Sequence, residues 1–156
     1  MALEIERKFL VDTHLWQKPE NGVCYRQGYV KTENGTTVRV RIAGDRAYLT
    51  LKDRAKGLTR HEFEYEIPVA DAEVMLSGMC DQPLIEKIRY RVPAAEQGLV
   101  WEVDEFLGAN APLVTAEIEL PSEDTPFTKP AWVGADVTDD HRYKNNNLAT
   151  NPYSRW

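Results

Sequence analysis

The sequence predicts a mostly β (α+β) fold, an eight-stranded antiparallel closed barrel with a charged lumen and a few short helices, including a C-terminal one. Two observations lead to this prediction. Eight short stretches alternate between apolar and polar residues with the period of two that β-strands have, and turn residues separate them. Charged side chains also keep to one side of most strands, while long helical patterns that would cover a sheet are sparse.

The strands are predicted from the alternation and bounded by turn chemistry. The stretch Glu33-Asn34-Gly35, the pair Gly44-Asp45 and the segment 108–112 have the residues typical of tight turns. The predicted strands cover residues 3–11, 24–31, 37–43, 46–52, 60–68, 84–92, 99–106 and 114–120. Eight strands joined by short turns are typical of an antiparallel barrel.

Helical signals are limited to three places. Residues 71–79 favour a short helix capped by Asp71, and residues 12–18 favour one turn of helix. Near the end, the run 138–140 has capping residues and acids for the first turn of a helix that reaches about Leu148.

Length and composition indicate one domain, residues 1–156, with no interdomain linker. The net charge of −6 argues against non-specific nucleic-acid binding. No apolar run is long enough to span a membrane, and the charged N-terminal stretch is unlike a signal peptide. We therefore expect a cytoplasmic protein with its two cysteines reduced and with no membrane or nucleic-acid partner. The sequence leaves open whether it is a monomer or a homodimer.

Charges of one sign are grouped on single strands. Arg39 and Arg41 share one side of their strand, and Glu117 and Glu119 share one side of another, while the opposite side of each strand is apolar. A solvated face usually mixes signs to gain cross-strand pairing. The segregation therefore favours a barrel whose charged side is its interior, and eight strands can enclose one small ligand.

The predicted lumen has a basic part and an acidic part. Alternate residues on a strand are about 6.6 Å apart, so basic pairs can contact neighbouring groups of an extended polyanion. Acids would repel that anion unless a hard divalent cation lay between them. The inward bases are Lys8, Arg39, Arg41, Lys52, Lys87 and Arg89, and the inward acids are Glu4, Glu6, Glu117 and Glu119. Together they indicate a metal–polyphosphate site.

The same residues resemble the signature of a known family. Glu4-x-Glu6-x-Lys8 is similar to the ExExK motif of the CYTH superfamily, also called triphosphate tunnel metalloenzymes. The rest of the pattern follows in order, as Arg39-x-Arg41, Lys52, Lys87-x-Arg89, Asp104 and Glu117-x-Glu119. The resemblance covers nearly the whole chain, and residues 137–148 resemble the family's C-terminal helix at the mouth or inside of the barrel.

The resemblance implies roles for individual residues. Glu4, Glu6, Glu117 and Glu119 are expected to bind Mg²⁺ or Mn²⁺, and Asp104 resembles an acid that lines the metal region. The bases already named are expected to hold the triphosphate. The expected catalytic residues are Glu4, Glu6, Lys8, Lys87, Glu117 and Glu119.

The expected function is metal-dependent hydrolysis of inorganic triphosphate to pyrophosphate and phosphate, as in the small bacterial members that the local sequence most resembles. Three alternatives remain open at this point. The enzyme could hydrolyse nucleoside or thiamine triphosphate, or it could be a class IV adenylate cyclase that forms cyclic AMP and pyrophosphate. A non-enzymatic sensor would bind polyphosphate or nucleotide without turnover. The inward side of residues 24–31, with Gln27 and Tyr29, and the roles of Arg142 and Lys144 also stay open.

Overall fold

Nine strands and two α-helices make up the computed structural model, which describes residues 2–54 and 59–156. The strands are β1 (Ala2–Val11), β2 (Val23–Val30), β3 (Thr37–Ala43), β4 (Arg46–Lys52), β5 (Thr59–Ile67), β6 (Ile85–Pro93), β7 (Val100–Phe106), β8 (Val114–Glu119) and β9 (Val133–Asp136). The α-helices are α1 (Val69–Gly78) and α2 (Asn145–Thr150), and 3₁₀ turns cover Gly108–Asn110, His141–Tyr143 and Tyr153–Arg155. All eight predicted strands are present, with bounds shifted by at most one residue.

The first eight strands close into an antiparallel barrel. Their order is β5-β4-β3-β2-β6-β7-β8-β1, and the ring closes because the N-terminal half of β1 pairs with β5. The rest of β1 pairs with β8 and with the additional strand β9. Every neighbouring pair is antiparallel, which confirms the predicted barrel.

The apolar core lies outside the barrel wall. Val40 and Ile42, which alternate with Arg39 and Arg41, pack with Leu76 of α1 on the outer side of β3. A second cluster around Phe9, Trp101 and Ile118 on β1, β7 and β8 is covered by Trp16, Phe127 and Trp132 from connecting segments. A third joins the strands to the C-terminal segment through Phe106, Tyr143 and Leu148. Because the apolar side of most strands packs outward, period two turns their charges inward, although Phe63 and Tyr65 on the outer side of β5 stay exposed.

One helix prediction needs correction and another is confirmed. Helix α1 begins at Val69, with Pro68 as N-cap and no side-chain cap, so Asp71 lies in its first turn and does not cap it. Residues 12–18 contain the predicted single turn, in which Asp12 O accepts from the N–H of Leu15 and Trp16. The Trp16 ring then contacts Tyr90 and Trp132 on the outer wall.

The C-terminal segment contains a helix, but it is divided into two parts. The Asp140 side chain accepts from Arg142 N and caps the 3₁₀ turn His141–Tyr143. Helix α2 then begins at Asn145 and ends at Thr150, two residues beyond the predicted end. Strand β9 was not predicted because it is four residues long and depends on pairing with Phe9 and Val11. None of the helices in the described residues has the length and apolar character needed to cross a membrane.

Candidate active site

The barrel encloses a cavity of about 830 Å³ lined mainly by charged side chains. Every site residue predicted from the sequence lines this cavity except Asp104, which lies buried in the wall. The predicted residues that line it are Glu4, Glu6, Lys8, Arg39, Arg41, Lys52, Lys87, Arg89, Glu117 and Glu119. They come from strands β1, β3, β4, β6 and β8, so closure of the barrel brings together residues more than 100 positions apart.

Carboxylates converge where β1 pairs with β8. Glu6 lies opposite Glu119, and Lys8 lies opposite Glu117. Burial, followed by repulsion from Glu117 and Glu4, raises the pKa of Glu6 well above its ordinary value. Burial and the charges of Glu4 and Glu102 also raise the pKa of Glu119. Without a metal ion, it is therefore unfavourable for all the carboxylates of this cluster to be ionised at the same time.

Two of the four predicted metal ligands already have cationic partners. Glu4 accepts hydrogen bonds from Lys52 Nζ at 2.8 Å and from Arg60 Nε at 3.2 Å, and Glu117 pairs with Lys8 Nζ at 3.3 Å. Burial raises the pKa of Glu117, but Lys8 and neighbouring cations outweigh this and hold it well below its ordinary value. Within the described part of the chain, no group of three or more acids, histidines or cysteines is arranged as a metal site.

Asp104 is separate from this carboxylate cluster. Its Oδ1 accepts from Arg89 Nε at 2.7 Å, and its Oδ2 accepts from Arg89 Nη2 at 2.8 Å and from Lys87 Nζ at 2.7 Å. Burial alone would raise its pKa, but Arg89 and Lys87 lower it to about 2. Asp104 therefore holds two of the predicted phosphate-binding cations, and both of its oxygens are engaged.

Arg41 has a different environment from the other lumen cations. Its side chain is only 8% exposed, and its Nε donates to Gln27 Oε1 at 2.8 Å. No carboxylate of the described residues pairs with its guanidinium. Burial, followed by repulsion from Arg39 and Arg89, lowers the pKa of Arg41 to about 9. Arg39 pairs with Glu64 at 3.3 Å, but its buried Nε has no hydrogen-bond partner in the part of the chain that is described.

The C-terminal segment lines the cavity as well. Lys8 Nζ donates to Tyr143 O at 3.0 Å, and Lys87 Nζ donates to Asn145 Oδ1 at 2.9 Å. Lys144 also lines the cavity, and burial together with the charges of Arg60 and Lys8 lowers its pKa. Arg142 instead pairs with Asp140 at 2.7 Å, at an exposed position. Of the two terminal cations left open by the sequence, only Lys144 lines the cavity.

Several cavity residues were missed by the sequence reasoning. Arg60 shares the alternation of Glu62 and Glu64 on β5, so period two was sufficient to find it. Gln27 lies on β2, whose inward side the sequence left open, and the structure buries it against Arg41. Asn145 follows no strand pattern, so only the path of the C-terminal segment identifies it.

The metal-free protein is expected to gain stability as the pH falls through the window between about 7 and 4.5. Burial and a hydrogen bond with Glu4 raise the pKa of Glu62 from 4.5 to about 7. Ionising Glu62 above that window therefore costs the folded state, and protonating it restores stability. Glu4, whose pKa is lowered to about 2, acts in the opposite direction only below about 4.5. Denaturant unfolding in the presence of a chelator measures this slope.

The control for this prediction is Glu62→Gln, which has no ionisation at that position. The variant should unfold with a shallower dependence on pH across the same window, because the raised pKa of Glu62 no longer contributes. Equal slopes in the two proteins would contradict the assignment to Glu62.

Comparisons with known proteins give a consistent result across the chain. The family model described as the CYTH domain matches residues 2–153. The chain is 49% identical to an inorganic triphosphatase of Acetivibrio thermocellus over 156 residues, which are 100% of this chain and 99% of the relative. It is 40% identical to an inorganic triphosphatase of Nitrosomonas europaea over 152 residues, covering 94% and 96% of the two chains.

One solved structure is similar to this chain in fold as well as in sequence. The crystal structure of an inorganic triphosphatase matches with a TM-score of 0.66 and 38% identity, covering 96% of this chain and 95% of the other. The similarity therefore extends over the barrel and the C-terminal segment together.

Proposed function

The chain belongs to the CYTH domain family, and from this we propose that it is an inorganic triphosphatase that hydrolyses triphosphate to pyrophosphate and phosphate inside its barrel. Two relatives with 49% and 40% identity carry that name, and each is matched over nearly its full length. The lumen has both parts that the reaction requires, a set of cations for the phosphates and a set of carboxylates for a metal ion.

The observation that supports this proposal most directly is the buried and uncompensated charge of Arg41. A buried guanidinium without an acidic partner is costly, and this cost falls when an anion binds. Arg39 adds a buried donor without a partner in the described residues. Because Arg39 and Arg41 are alternate residues on β3, they lie about 6.6 Å apart along the strand and can contact different phosphate groups.

The carboxylates fit a hard divalent cation such as Mg²⁺ or Mn²⁺. Their oxygens are the ligands that these ions prefer, and the pairing of β1 with β8 places Glu6 opposite Glu119. We propose Glu4, Glu6, Glu117 and Glu119 as the ligands. A bound cation would neutralise charge on the substrate and act as a Lewis acid. Asp104 does not line the cavity, so we assign it to holding Arg89 and Lys87 and not to the metal ion.

The existing ion pairs imply that metal and substrate assist each other. Lys52 pairs with Glu4, and Lys8 pairs with Glu117. When a metal ion binds, each glutamate gives up its contact with the lysine. When triphosphate binds, each lysine gives up its contact with the glutamate. A triphosphate that takes up the lysines frees the acids, and a cation that takes up the acids frees the lysines. We therefore expect the affinity for each to rise in the presence of the other.

We propose Lys87 as a catalytic cation that contacts the reacting phosphate, because its buried Nζ lines the cavity and pairs with Asp104 at 2.7 Å. Burial lowers its pKa well below the ordinary value, and the charges of Arg89 and Arg41 add to this effect, while Asp104 opposes it. The ion pair with Asp104 keeps this buried cation in place beside the substrate. Attack of water on a terminal phosphorus forms a new P–O bond and breaks the bridging one, the proton of the water passes to a phosphate oxygen, and pyrophosphate leaves while the cations of the lumen stabilise its charge.

Product analysis tests the proposed function. The protein is incubated with Mg²⁺ or Mn²⁺ and with tripolyphosphate, ATP or thiamine triphosphate, and the products are identified. Pyrophosphate and phosphate formed from tripolyphosphate would support the proposal. Cyclic AMP from ATP would indicate a cyclase, and binding without turnover of any of the three would indicate a sensor.

Arg41→Ala is expected to raise KM for tripolyphosphate about tenfold or more, with a smaller effect on kcat. The variant removes a cation that meets the substrate in the ground state as well as in the transition state. Steady-state kinetics at saturating metal measure both constants. Arg46→Ala is the matched control, because Arg46 is exposed and pairs with Glu66 outside the cavity. Similar KM values for the two variants would contradict the role of Arg41.

A further inference from the structure

Tyr25 lies in the lumen between two strands that carry phosphate-binding cations. It belongs to β2, where it pairs with Ala43 of β3 on one side and with Lys87 of β6 on the other. Its side chain is partly buried and lines the cavity. Tyr25 belongs neither to the ExExK motif nor to the pairs of like charge, and it has no role in the proposed hydrolysis.

The ring of Tyr25 contacts cations from both neighbouring strands. Its centroid lies 4.8 Å from Arg41 Cζ, 4.9 Å from Arg89 Cζ and 6.0 Å from Lys87 Nζ. These distances are within the range over which the electron-rich face of an aromatic ring attracts a cation. The attraction strengthens when water is excluded, and the side chains of both arginines are buried.

The two arginines differ in what else holds them. Asp104 accepts from both Nε and Nη2 of Arg89, which fixes that guanidinium in the wall. Arg41 has a hydrogen bond at Nε to Gln27, and Arg39 and Arg89 repel it. The ring of Tyr25 is therefore an attractive contact that the Arg41 and Arg89 guanidinium groups share while no anion is present.

We propose that Tyr25 is a positioning residue for the substrate, whose ring holds the guanidinium of Arg41 beside that of Arg89 so that both can contact the same triphosphate. This inference rests on the proposed function. Gln27 occupies Nε of Arg41 and the ring contacts the guanidinium, which leaves the terminal nitrogens for phosphate oxygens. The contact depends on the ring and not on the hydroxyl group, since attraction by the ring needs no hydrogen bond.

The test compares Tyr25→Leu, which removes the ring, with Tyr25→Phe, which removes only the hydroxyl. Tyr25→Leu is expected to raise KM for tripolyphosphate about tenfold and to change kcat less than about threefold, while Tyr25→Phe stays within about twofold of the unaltered protein. Tyr65→Leu is the matched control, because Tyr65 is 57% exposed and does not line the cavity. It should leave both constants unchanged.

Equal KM values for Tyr25→Leu and the unaltered protein would overturn the proposal. A Tyr25→Phe variant as impaired as Tyr25→Leu would also overturn it, because the hydroxyl would then be the active part. Tyr25→Met provides a second variant without the ring. If neither of the variants that lack the ring folds, as judged by circular dichroism, the ring contributes to stability and the positioning role is rejected.

A binding measurement separates this proposal from the proposed function. Calorimetry with tripolyphosphate and a chelator reports anion binding without turnover. Weaker binding by Tyr25→Leu than by the unaltered protein supports the positioning role, and equal binding rejects it while leaving the proposed function intact. If the unaltered protein does not bind tripolyphosphate under any metal condition, both the function and the inference are rejected.

Discussion

The Glu6→Gln variant is expected to lose turnover of tripolyphosphate by about 100-fold or more while its barrel stays folded. Glutamine keeps the size of the side chain but removes the negative charge that a divalent cation requires. The substitution changes one oxygen for an amide nitrogen inside the carboxylate cluster, where Glu117 and Glu4 are neighbours. Rates at saturating metal and substrate, with circular dichroism as the check on folding, measure the effect.

The same variant has a second expected result that does not depend on activity. Because burial and then repulsion from Glu117 and Glu4 raise the pKa of Glu6, removing its charge should raise the melting temperature of the metal-free protein. Mg²⁺ or Mn²⁺ should then stabilise Glu6→Gln less than the unaltered protein, because one ligand is lost. Glu73→Gln, at an exposed position on α1 where Glu73 pairs with Arg26, is the matched control and should leave activity and metal response unchanged. Full activity of Glu6→Gln would overturn the proposed metal ligands.

Asp104→Ala is expected to destabilise the fold by about 3 to 5 kcal/mol, the usual cost of removing one partner from a buried ion pair. Asp104 has no exposed surface and accepts two hydrogen bonds from Arg89. Arg89 cannot release its proton, so the variant leaves a buried guanidinium whose remaining salt bridge is the longer one to Glu102 at 3.5 Å. For a protein of this size the loss corresponds to roughly 6 to 20 °C in melting temperature.

Binding of tripolyphosphate should show whether the lost stability comes from the unpaired charge of Arg89. Tripolyphosphate supplies the negative charge that Asp104 no longer provides, so it should raise the melting temperature of Asp104→Ala by more than that of the unaltered protein. Glu105→Ala, one position further on β7, is the matched control: its partner is the exposed Lys18, and it should cost less than about 1 kcal/mol. If the two variants lost equal stability, the buried network around Asp104 would not be the source of the effect.

Local alternation was sufficient to predict most of the fold. Arg39 and Arg41 alternate with Val40 and Ile42, and this pattern alone indicates both a strand and the side that faces the lumen. The errors lie where pairing or packing outweighs local preference. Strand β9 forms because the C-terminal part of β1 offers it an edge, and the C-terminal helix is divided because Asp140 caps a separate 3₁₀ turn before it.

The sequence by itself determined which side chains share a face of each strand, because a strand places alternate residues on opposite faces whatever surrounds it. Only the tertiary structure decided which of them meet. Asp104 has the alternation of an inward acid, yet it pairs with Arg89 of β6 and lies apart from the carboxylate cluster. Arg41 has the pattern of any inward base, yet it is held by Gln27 and Tyr25 and has no acidic partner in the described residues. Partners are set by register and by closure of the barrel, and both depend on strands far apart in the chain.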